Sequence, residues 1–187
     1  MAVIRNAQML DALGIARVHV RTWKEAYKDL LDPGYLASLT EARVAARWRR
    51  VLAQMPNDLD EAVFVVESGG QIVGFSSVGA NREPLAPWDG EITMIYVLDS
   101  YRGRGFGRSL LKASADHCIR RGLFTAGLWV LADNSAARAF YETLGGRQFG
   151  QKQDAVGPRL MPLVGYGWDD IAALAQRTPD SSAVRRF

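Results

Sequence analysis

The segment YRGRGFGR, at residues 101–108, constrains the fold of this chain more than any other feature. It follows the run EITMIYVL at 91–98, whose apolar residues fill both faces and therefore predict a buried central strand. Apolar residues at helical spacing come next and predict a helix from Phe106 to Arg121, which ends at Gly122. The glycines let the backbone turn sharply and bring several N–H groups close to a ligand. Together with the positive end of the helix, they predict a site for a pyrophosphate group.

The same turn narrows the kind of phosphate ligand. Its arginines, at 102, 104 and 108, would add charge-assisted contacts to phosphate. No Lys followed by Ser or Thr closes the turn, which argues against a nucleoside-triphosphate loop. The glycine spacing does not fit the dinucleotide pattern G-x-G-x-x-G, and that pattern also expects a first βαβ unit, whereas two hairpin strands precede this turn. A plain tight turn with solvated arginines, and a nucleotide-binding enzyme with an atypical turn, stay open as alternatives.

The rest of the pattern predicts a mixed α/β domain. Apolar residues every three or four positions predict helices, and β-branched runs bounded by turn residues predict strands. In the first helix, the residues expected to face the core are Leu10, Leu13, Ala16, Val20, Trp23 and Tyr27. Strands are expected at 2–5, 62–67, 71–78, 91–98, 125–131, 147–151 and 160–168. Helices are expected from Leu10 to the break at Asp32-Pro33-Gly34, from Tyr35 to about Met55 with a restart signal at Thr40, at 106–121, and after the cap Asn134. The order β-α-α-β-β-β-α-β-α-β-β gives a mixed sheet of about six or seven strands flanked by about four helices.

Length and composition bound the remaining choices. With 187 residues the chain corresponds to one domain, which we predict over residues 1–177, followed by a flexible tail at 178–187. No apolar run reaches the roughly 18 residues of a membrane-spanning helix, and no export signal is visible. The single cysteine, Cys118, cannot form an internal disulfide or a cysteine-based metal cage. We therefore expect a cytoplasmic protein that needs neither a membrane nor a metal.

Neither the net charge nor the histidines and the cysteine point to a further function. The net charge of +3 is not gathered into a basic stripe with interleaved aromatics, which argues against nucleic-acid binding. His19 and His117 are single histidines in predicted helices without a partner at metal-ligand spacing. Cys118 lies beside apolar positions of a helix, where a small buried side chain is more common than a nucleophile.

Two motifs in a fixed order carry a family resemblance. Arg102-x-x-Gly105-x-Gly107 resembles the acetyl-coenzyme A loop of the GNAT acyltransferase superfamily, and Asn134-x-x-Ala137-x-x-Phe140-Tyr141-Glu142-x-x-Gly145 resembles a second segment of that family. The inferred order of elements over about residues 2–168 is also similar. Two departures are mild: Leu98-Asp99-Ser100 replaces the more usual residue-then-proline before the loop, and Gly146 stands where an aromatic residue often occurs.

The resemblance implies acetyl-coenzyme A as co-substrate. In the family, the strand before the loop splays away from its neighbour, the pantetheine pairs with the freed backbone, and the loop holds the pyrophosphate. Carried onto this sequence, the coenzyme-binding positions are Ile95, Tyr96, Val97, Arg102, Gly103, Arg104, Gly105, Phe106, Gly107, Arg108, Asn134 and Tyr141. An ordinary paired strand is the alternative for the first three, and a helix cap alone would account for Asn134.

The resemblance also suggests catalytic groups. Tyr141 would be the general acid that protonates the leaving thiolate, and its spacing from Ala137 and Leu144 places it on the same helix face as these apolar residues. Glu91 opens the central strand eleven positions before Arg102 and is the candidate base for the amine. A core tyrosine and a merely solvated glutamate are the structural alternatives.

The acceptor is less constrained by the sequence. The family's first two helices flank the acceptor pocket, so we expect pocket residues at Trp23, Tyr27, Tyr35 and Trp88. The predicted activity is direct transfer of an acetyl group to a primary amine of a small molecule or a protein N-terminus. A non-catalytic acyl-coenzyme A-binding module is the main alternative. The closing hairpin is compatible with a homodimer but does not require one.

Overall fold

The computed structural model of the protein describes residues 2–55, 60–83 and 86–176. The predicted tail at 178–187 lies outside these described residues. No helix in these ranges is both long and apolar enough to cross a membrane. The same ranges contain no group of three or more His, Cys, Asp or Glu side chains that could hold a metal ion.

Seven strands form one mixed sheet, in the order β1-β2-β3-β4-β5-β7-β6. The strands are β1 (Ala2–Asn6), β2 (Ala62–Ser68), β3 (Gln71–Ala80), β4 (Gly90–Val97), β5 (Ala126–Leu131), β6 (Arg147–Val156) and β7 (Arg159–Trp168). The α-helices are α1 (Ala12–Ala26), α2 (Pro33–Ser38), α3 (Glu41–Gln54), α4 (Phe106–Arg120), α5 (Ser135–Thr143) and α6 (Ala172–Gln176). Neighbouring strands are antiparallel except for the β4–β5 pair, which is parallel. The predicted α/β class and the order of the main elements are confirmed.

Strands β4 and β5 are joined over a short stretch and then separate. They pair only at Gly90–Ala126 and Glu91–Gly127, whereas β4 stays paired with β3 up to Val97. A bulge at Thr93, which the partners on β3 skip, bends β4 just beyond this junction. The result is a V-shaped gap, here called the splay, that opens toward the ends of β4 and β5.

Helices cover both faces of the sheet. On the face here called the α1 face, the rings of Phe75 and Tyr96 contact His19 of α1, and Phe75 also contacts Trp48 of α3. On the opposite face, the α4 face, the hydroxyls of Ser76 and Ser114 are 3.0 Å apart. Helix α5 lies on the α4 face too, because the Phe140 ring of α5 packs on Gly107 of α4. Residues of β4 therefore separate α1 from α4 and α5.

The first helix does not bury the face expected from its leucines. Leu10 is 90% exposed and Leu13 is 54% exposed, whereas Ile15 and Ala16 are fully buried. Helix α1 approaches β3 so closely at Gly14 that an added Cβ there would lie 2.8 Å from Cγ1 of Ile72. Leu10 lies before α1, in a short 3-10 turn at Met9–Asp11, and Leu13 lies on the side of α1 that faces away from the sheet.

The second predicted helix is two helices. Asp32 caps α2, because its Oδ1 accepts a hydrogen bond of 2.9 Å from the N–H of Tyr35, and Pro33 occupies the first helical position. Helix α2 ends at Ser38, and Thr40 then caps α3. The expected helix from Tyr35 to Met55 was therefore wrong in one respect: the Asp-Pro-Gly segment starts a helix of its own as well as separating α1 from α3.

Candidate functional site

The glycine-rich turn uses each glycine for a different physical reason. Gly103 and Gly105 have φ angles of 73° and 79°, in the left-handed region that other residues rarely adopt. Gly105 is the residue that precedes α4, so the turn enters the helix in this conformation. Gly107 lies inside the helix, where an added Cβ would be 3.1 Å from Cζ of Phe140. The third glycine therefore allows α4 and α5 to pack closely.

The turn and the start of α4 present unpaired hydrogen-bond donors. Within the described ranges, the backbone N–H groups of residues 103–108 donate to no acceptor, while the N–H of Ser109 bonds the carbonyl of Gly105. Four successive unpaired N–H groups are normal at the start of a helix, here at residues 105–108, and the turn extends this series upstream. Such an array attracts an anion because the helix dipole and the donors act together.

Arg102 and Arg104 of the turn make only weak contacts with their neighbours. Arg102 forms an ion pair of 2.9 Å with Asp99, and both side chains are exposed. Arg104 lies 4.8 Å from the ring centre of Tyr101 and donates to the carbonyl of Ser100 at 3.1 Å. Exposed ion pairs of this kind contribute between about 0 and 1 kcal/mol, so a phosphate could displace Asp99 from Arg102 at little cost.

Strand β4 turns alternate backbone groups into the splay. The N–H of Leu98 donates to the carbonyl of Val73 on β3 at 2.9 Å, which fixes the direction of the peptides before it. Backbone groups alternate along an antiparallel strand, so Ile95 and Val97 direct their N–H and C=O toward the splay, where β5 is no longer paired. The backbone of Tyr96 faces β3 instead. Of the three positions expected to hold the pantetheine, two present backbone groups that have no partner among the described residues, and the third contributes a phenol on the α1 face.

A cleft of about 460 Å³ lies at the open end of the splay. It joins the glycine-rich turn to the end of β5 and the start of α5. Its walls are Glu25, Ala26, Tyr27 and Leu30 from α1 and the following loop, Asp99 and Arg102 from the turn, and Leu131, Asp133, Asn134, Ser135 and Ala136. The cleft therefore places a ligand in reach of both sequence motifs at once.

Asn134 serves as a helix cap at the edge of this cleft. Its Oδ1 accepts a hydrogen bond from the N–H of Ala137 at 3.1 Å, which satisfies one free donor of α5. The amide group retains two N–H donors, and the residue lines the cleft. The capping role and a contact to a bound ligand are therefore compatible.

Tyr141 projects from α5 into the interior with an unpaired hydroxyl. The residue is only 6% exposed, and its ring lies 6.0 Å from that of Tyr166 and 6.3 Å from that of Trp168. No hydrogen bond of its hydroxyl is found among the described residues. Burial, with a smaller contribution from nearby Tyr96, raises the pKa of Tyr141 well above its ordinary value. The phenol therefore keeps its proton and is free to donate a hydrogen bond.

Three phenols converge on the splay from different elements. The hydroxyl of Tyr96 accepts a hydrogen bond of 3.0 Å from Nε1 of Trp23. Burial raises the pKa of Tyr96, and this hydrogen bond opposes the rise. Burial also raises the pKa of Tyr27, and the neighbouring phenols of Tyr96 and Tyr141 raise it further. This mutual influence reflects the approach of α1, β4 and α5 to one another around the gap.

Glu91 lies at the closed end of the splay, between Gly79 of β3 and Gly127 of β5. Burial is the main cause that raises the pKa of its carboxyl, and the carboxylates of Glu83 and Glu61 raise it further, against the opposing effect of Lys152 and Arg82. Those four neighbours are paired with one another, as Glu83–Lys152 and Glu61–Arg82. No ion pair of Glu91 occurs in the described part of the chain. Its carboxylate is therefore a stronger base than an exposed glutamate.

The four residues expected to line the acceptor pocket are not gathered in one place. The rings of Trp23 and Tyr27 are neighbours, with centres 4.9 Å apart. Tyr35 packs on Gly157 in the turn between β6 and β7, so it links α2 to that hairpin. Trp88 is 6% exposed and lies flat on the sheet beyond Glu91. Trp23 and Tyr27 border the splay, whereas Tyr35 and Trp88 belong to its surroundings.

An aromatic group on the α1 face was not foreseen. Trp88 contacts Trp129 and Phe149, with ring centres 6.1 and 4.4 Å away, and Lys152 lies over the Trp129 ring. The sequence signal for it is the series of glycines in β5 and β7, because residues without side chains leave space on the sheet that large rings fill.

Comparisons with known proteins bear on the family and the fold of this chain. A family profile described as the acetyltransferase (GNAT) family matches residues 23–145. The chain is 30% identical over 176 residues to YuaI, an uncharacterised N-acetyltransferase of Bacillus subtilis (strain 168), and the match covers 93% of this chain and 96% of that protein. Among solved structures, it is similar to the PaiA N-acetyltransferase of Thermoplasma acidophilum in complex with coenzyme A (TM-score 0.67, 18% identity, 88% of this chain and 98% of that one). It is also similar to yncA of Salmonella typhimurium with its cofactor acetyl-CoA (TM-score 0.65, 22% identity, 97% of this chain and 99% of that one).

Proposed function

Because the chain belongs to the acetyltransferase (GNAT) family, we propose that it transfers an acetyl group from acetyl-coenzyme A directly to a primary amine of a small molecule or a protein N-terminus. The observation that carries this proposal is the splay between β4 and β5, which ends at a turn rich in unpaired N–H donors. A pantetheine chain needs hydrogen-bond partners along its length, and a pyrophosphate needs donors at its end. The splay offers the first and the turn offers the second, and the cleft beside them is lined by Arg102 of one sequence motif and Asn134 of the other.

The residues of this chain that would hold the coenzyme follow from their free groups. The N–H donors of residues 103–108 and the guanidinium of Arg102 suit the pyrophosphate. Ile95 and Val97 offer N–H and C=O groups to the pantetheine amides, as a neighbouring strand would. The solved relatives with coenzyme A or acetyl-CoA support this assignment at the level of the fold.

The chemistry needs three further actions by the protein. When bound, the thioester supplies an acyl carbon open to attack by a neutral amine. A backbone N–H of Ile95 or Val97 stabilises negative charge that develops on the thioester oxygen. The C–N bond forms, the C–S bond breaks, and the electron pair leaves with sulfur as a thiolate. Tyr141 donates a hydrogen bond to that thiolate, and Glu91 accepts the proton that the amine loses.

The raised pKa of Tyr141 defines its role more closely. Burial disfavours the anionic form of the phenol, so the hydroxyl keeps its proton until the sulfur leaves, and it disfavours a thiolate held beside it in the same way. We infer that Tyr141 donates its proton to the leaving sulfur as a general acid.

A ligand titration tests the cofactor first. Thermal unfolding is followed with acetyl-coenzyme A, coenzyme A, ATP and NAD, and a ligand present at 100 times its Kd stabilises the native state by about 2.7 kcal/mol. We expect stabilisation by the two coenzyme A compounds alone. Stabilisation by ATP or NAD alone, or by none of the four, would refute the proposal.

A matched pair of arginine variants localises the site. Arg102→Ala should weaken acetyl-coenzyme A binding about tenfold, because one charge-assisted contact to phosphate is lost. Arg49→Ala, which removes an exposed arginine of α3, should leave the Kd unchanged. Equal effects of the two variants would show that general charge, rather than the turn, binds the coenzyme.

Thiol release in a panel of amines then separates an enzyme from a binding module. Free thiol should appear at a rate that depends on the amine, and Tyr141→Phe should lower it. Tight binding of acetyl-coenzyme A without thiol release over a panel of small amines, polyamines, amino acids and peptide N-termini would favour the non-catalytic alternative.

A further inference from the structure

The structure assigns Trp88 a role as a positioning residue for Glu91: we propose that the indole N–H of Trp88 and the carboxylate of Glu91 together hold the water molecule through which the acceptor amine loses its proton. This inference rests on the proposed function of Glu91. It concerns a residue outside both sequence motifs, in the loop that leads into β4.

The ring of Trp88 lies on a part of the sheet without side chains, at Gly127 and Gly167, which is here called the Trp88 seat. An added Cβ at Gly127 would lie 2.1 Å from Cδ2 of its ring, and one at Gly167 would lie 2.8 Å from Cε3. Gly127 and Gly167 are paired across β5 and β7. The ring therefore lies flat over two neighbouring strands in space that any other residue would occupy, and this seat fixes its position.

The same contacts show which way the indole N–H points. The ring atoms near Gly167 are Cε3 and Cζ3, on the benzene edge, whereas Cε2, which carries Nε1, lies over Gly127. Nε1 is on the opposite edge of the ring from Cε3, so it faces away from β7. Since β4 is the neighbour of β5 on that side, the N–H points toward β4.

Glu91 is the residue of β4 at this level of the sheet. It pairs with Gly127, directly under the indole, and with Gly79 on its other side. Gly79 and Gly127 leave the Glu91 side chain without a close neighbour from either strand, apart from the carboxylate of Glu61 and the Trp88 ring that fill those places. The donor edge of Trp88 therefore faces the position of β4 from which Glu91 extends on the α1 face.

The indole N–H is otherwise without a partner. Nε1 of Trp88 is buried and makes no hydrogen bond in the described part of the chain. A buried donor left without an acceptor costs about 1–3 kcal/mol, and a water that also bonds Glu91 would remove that cost. Buried waters occupy sites that offer several polar partners, and the N–H and the carboxylate provide two.

A water in this position completes a balanced proton path. Its oxygen accepts from the Trp88 N–H and from the attacking amine, while one of its hydrogens points to Glu91. As the C–N bond forms and the C–S bond breaks, the amine proton moves to the water and a water proton moves to Glu91. Trp88 gives up no proton; it fixes the orientation of the oxygen so that its remaining lone pair faces the amine.

Nuclear magnetic resonance tests the pairing without a known acceptor. The chain has five tryptophans, so a ¹⁵N-tryptophan sample gives five indole signals, and Trp88→Phe identifies the one from Trp88. That signal should shift with pH in a single step with a midpoint above the ordinary glutamate value of 4.5. Glu91→Gln should abolish the step. A Trp88 signal that stays constant with pH, or that titrates equally in Glu91→Gln, would overturn the inference.

A neighbouring carboxylate provides the matched control. Glu83 raises the pKa of Glu91, and Glu61, Arg82 and Lys152 are the other charged groups that face it. Glu83→Gln should therefore keep the step in the Trp88 signal and move its midpoint to lower pH. Loss of the step in Glu83→Gln would mean that the indole reports Glu83 rather than Glu91, and the inference would fail.

A double-mutant cycle tests the same link in the enzyme. With an amine that the wild type acetylates, Glu91→Gln should lower kcat/KM about 100-fold and Trp88→Phe about tenfold, with the acetyl-coenzyme A Kd unchanged in both. In the Glu91→Gln background, Trp88→Phe should change kcat/KM less than about twofold, since it acts through Glu91. Additive losses would show a structural role and overturn the inference.

The two proposals fail in different ways. If Glu91→Gln keeps the wild-type rate, Glu91 is not the base and the kinetic part of both proposals falls. If Glu91→Gln is slow but the effects of the two variants add, only the role of Trp88 falls. Trp129→Phe removes the other buried indole N–H that lacks a partner in the described part of the chain, keeps a ring beside Trp88, and should keep kcat/KM within about threefold.

Discussion

The seat of Trp88 makes Gly127→Ala a sensitive test of the structure. The added methyl would lie 2.1 Å from Cδ2 of Trp88, whereas carbon atoms at optimal contact are about 3.5 Å apart. The ring would therefore have to rise by about 1.4 Å from the sheet, and it would lose its contact with Gly167 at the same time. Gly127 lies within a buried run of β5, so its backbone cannot move away to make room.

The size of the effect follows from the area that the ring buries. A buried tryptophan removes about 150–250 Å² from water, which at about 25 cal/mol per Å² gives an upper bound of about 4–6 kcal/mol for complete ejection. Partial displacement loses part of this, and alanine is favoured over glycine in a strand by about 0.5–1 kcal/mol. We expect Gly127→Ala to lower the free energy of unfolding by about 2–4 kcal/mol.

Urea unfolding followed by far-ultraviolet circular dichroism measures this without relying on tryptophan fluorescence. Trp88→Ala alone should cost about 3–5 kcal/mol, and adding Gly127→Ala to it should cost almost nothing, because the methyl then enters empty space. Gly150→Ala in β6 is the control: no atom lies within 4 Å of its added Cβ, so its effect should stay within about 0.5 kcal/mol. An equal cost of Gly127→Ala with and without the Trp88 ring would refute the reasoning.

Three further predictions concern the site and its surroundings. Tyr141→Phe should keep the urea midpoint, because the hydroxyl has no partner in the described part of the chain, but should slow acetyl transfer about tenfold in a thiol-release assay, and an unchanged rate would remove its role. Gly105→Ala should lower the free energy of unfolding by about 1–2 kcal/mol, because its φ is left-handed, and should also weaken acetyl-coenzyme A binding. Gly70→Ala, with φ of 73° in the β2–β3 turn, should have the same effect on stability and none on binding, when stability and binding are both measured by calorimetry. Burial lowers the pKa of His19 to about 4 from 6.5, with a smaller effect of Arg47, so the folded state binds fewer protons than the unfolded chain between these values. The contribution of neutral His19 to the free energy of unfolding should therefore be fully present above pH 6.5 and fall by about 3 kcal/mol as the pH drops toward 4. The urea midpoint of His19→Gln should lack this pH dependence.

Local chemistry explains the features that the sequence could predict. The turn at 101–108 and the α5 segment after Asn134 are predicted correctly because glycine conformation, helix capping and donor supply depend on neighbouring residues. The splay, by contrast, depends on strands that are distant in the sequence. The family resemblance implied that it exists, and the structure shows that β4 and β5 pair at only two positions. The bulge at Thr93 has no local signal, since Thr fits a regular strand equally well.

Packing decided the features that the sequence could not predict. Leu10 and Leu13 are apolar enough to face the core, but Leu10 lies in the turn before α1, and the approach of Gly14 to Ile72 turns Leu13 away from the sheet. The sequence suggests Trp88 as a pocket residue in a loop, and only the pairing of Gly127 with Gly167 in distant strands reveals its seat. The alternate direction of the Tyr96 backbone depends on the register with β3, which composition does not encode.

The short junction between β4 and β5 also concentrates the strand pairing between the two halves of the sheet at one point. Strands β1–β4 and β5–β7 form two plates whose strand pairing is confined to residues 90–91 of β4 and 126–127 of β5. At about 3.3 Å per residue, the end of β4 at Val97 lies about 20 Å from that junction. A rotation of about 5° would therefore widen the far end by nearly 2 Å and leave Glu91 almost stationary. A coenzyme bound along Ile95 and Val97 would link the two plates at the end far from the junction. Glu91 lies at the junction itself, so such a rotation would change the width of the far end of the splay and leave the position of this carboxylate almost unchanged.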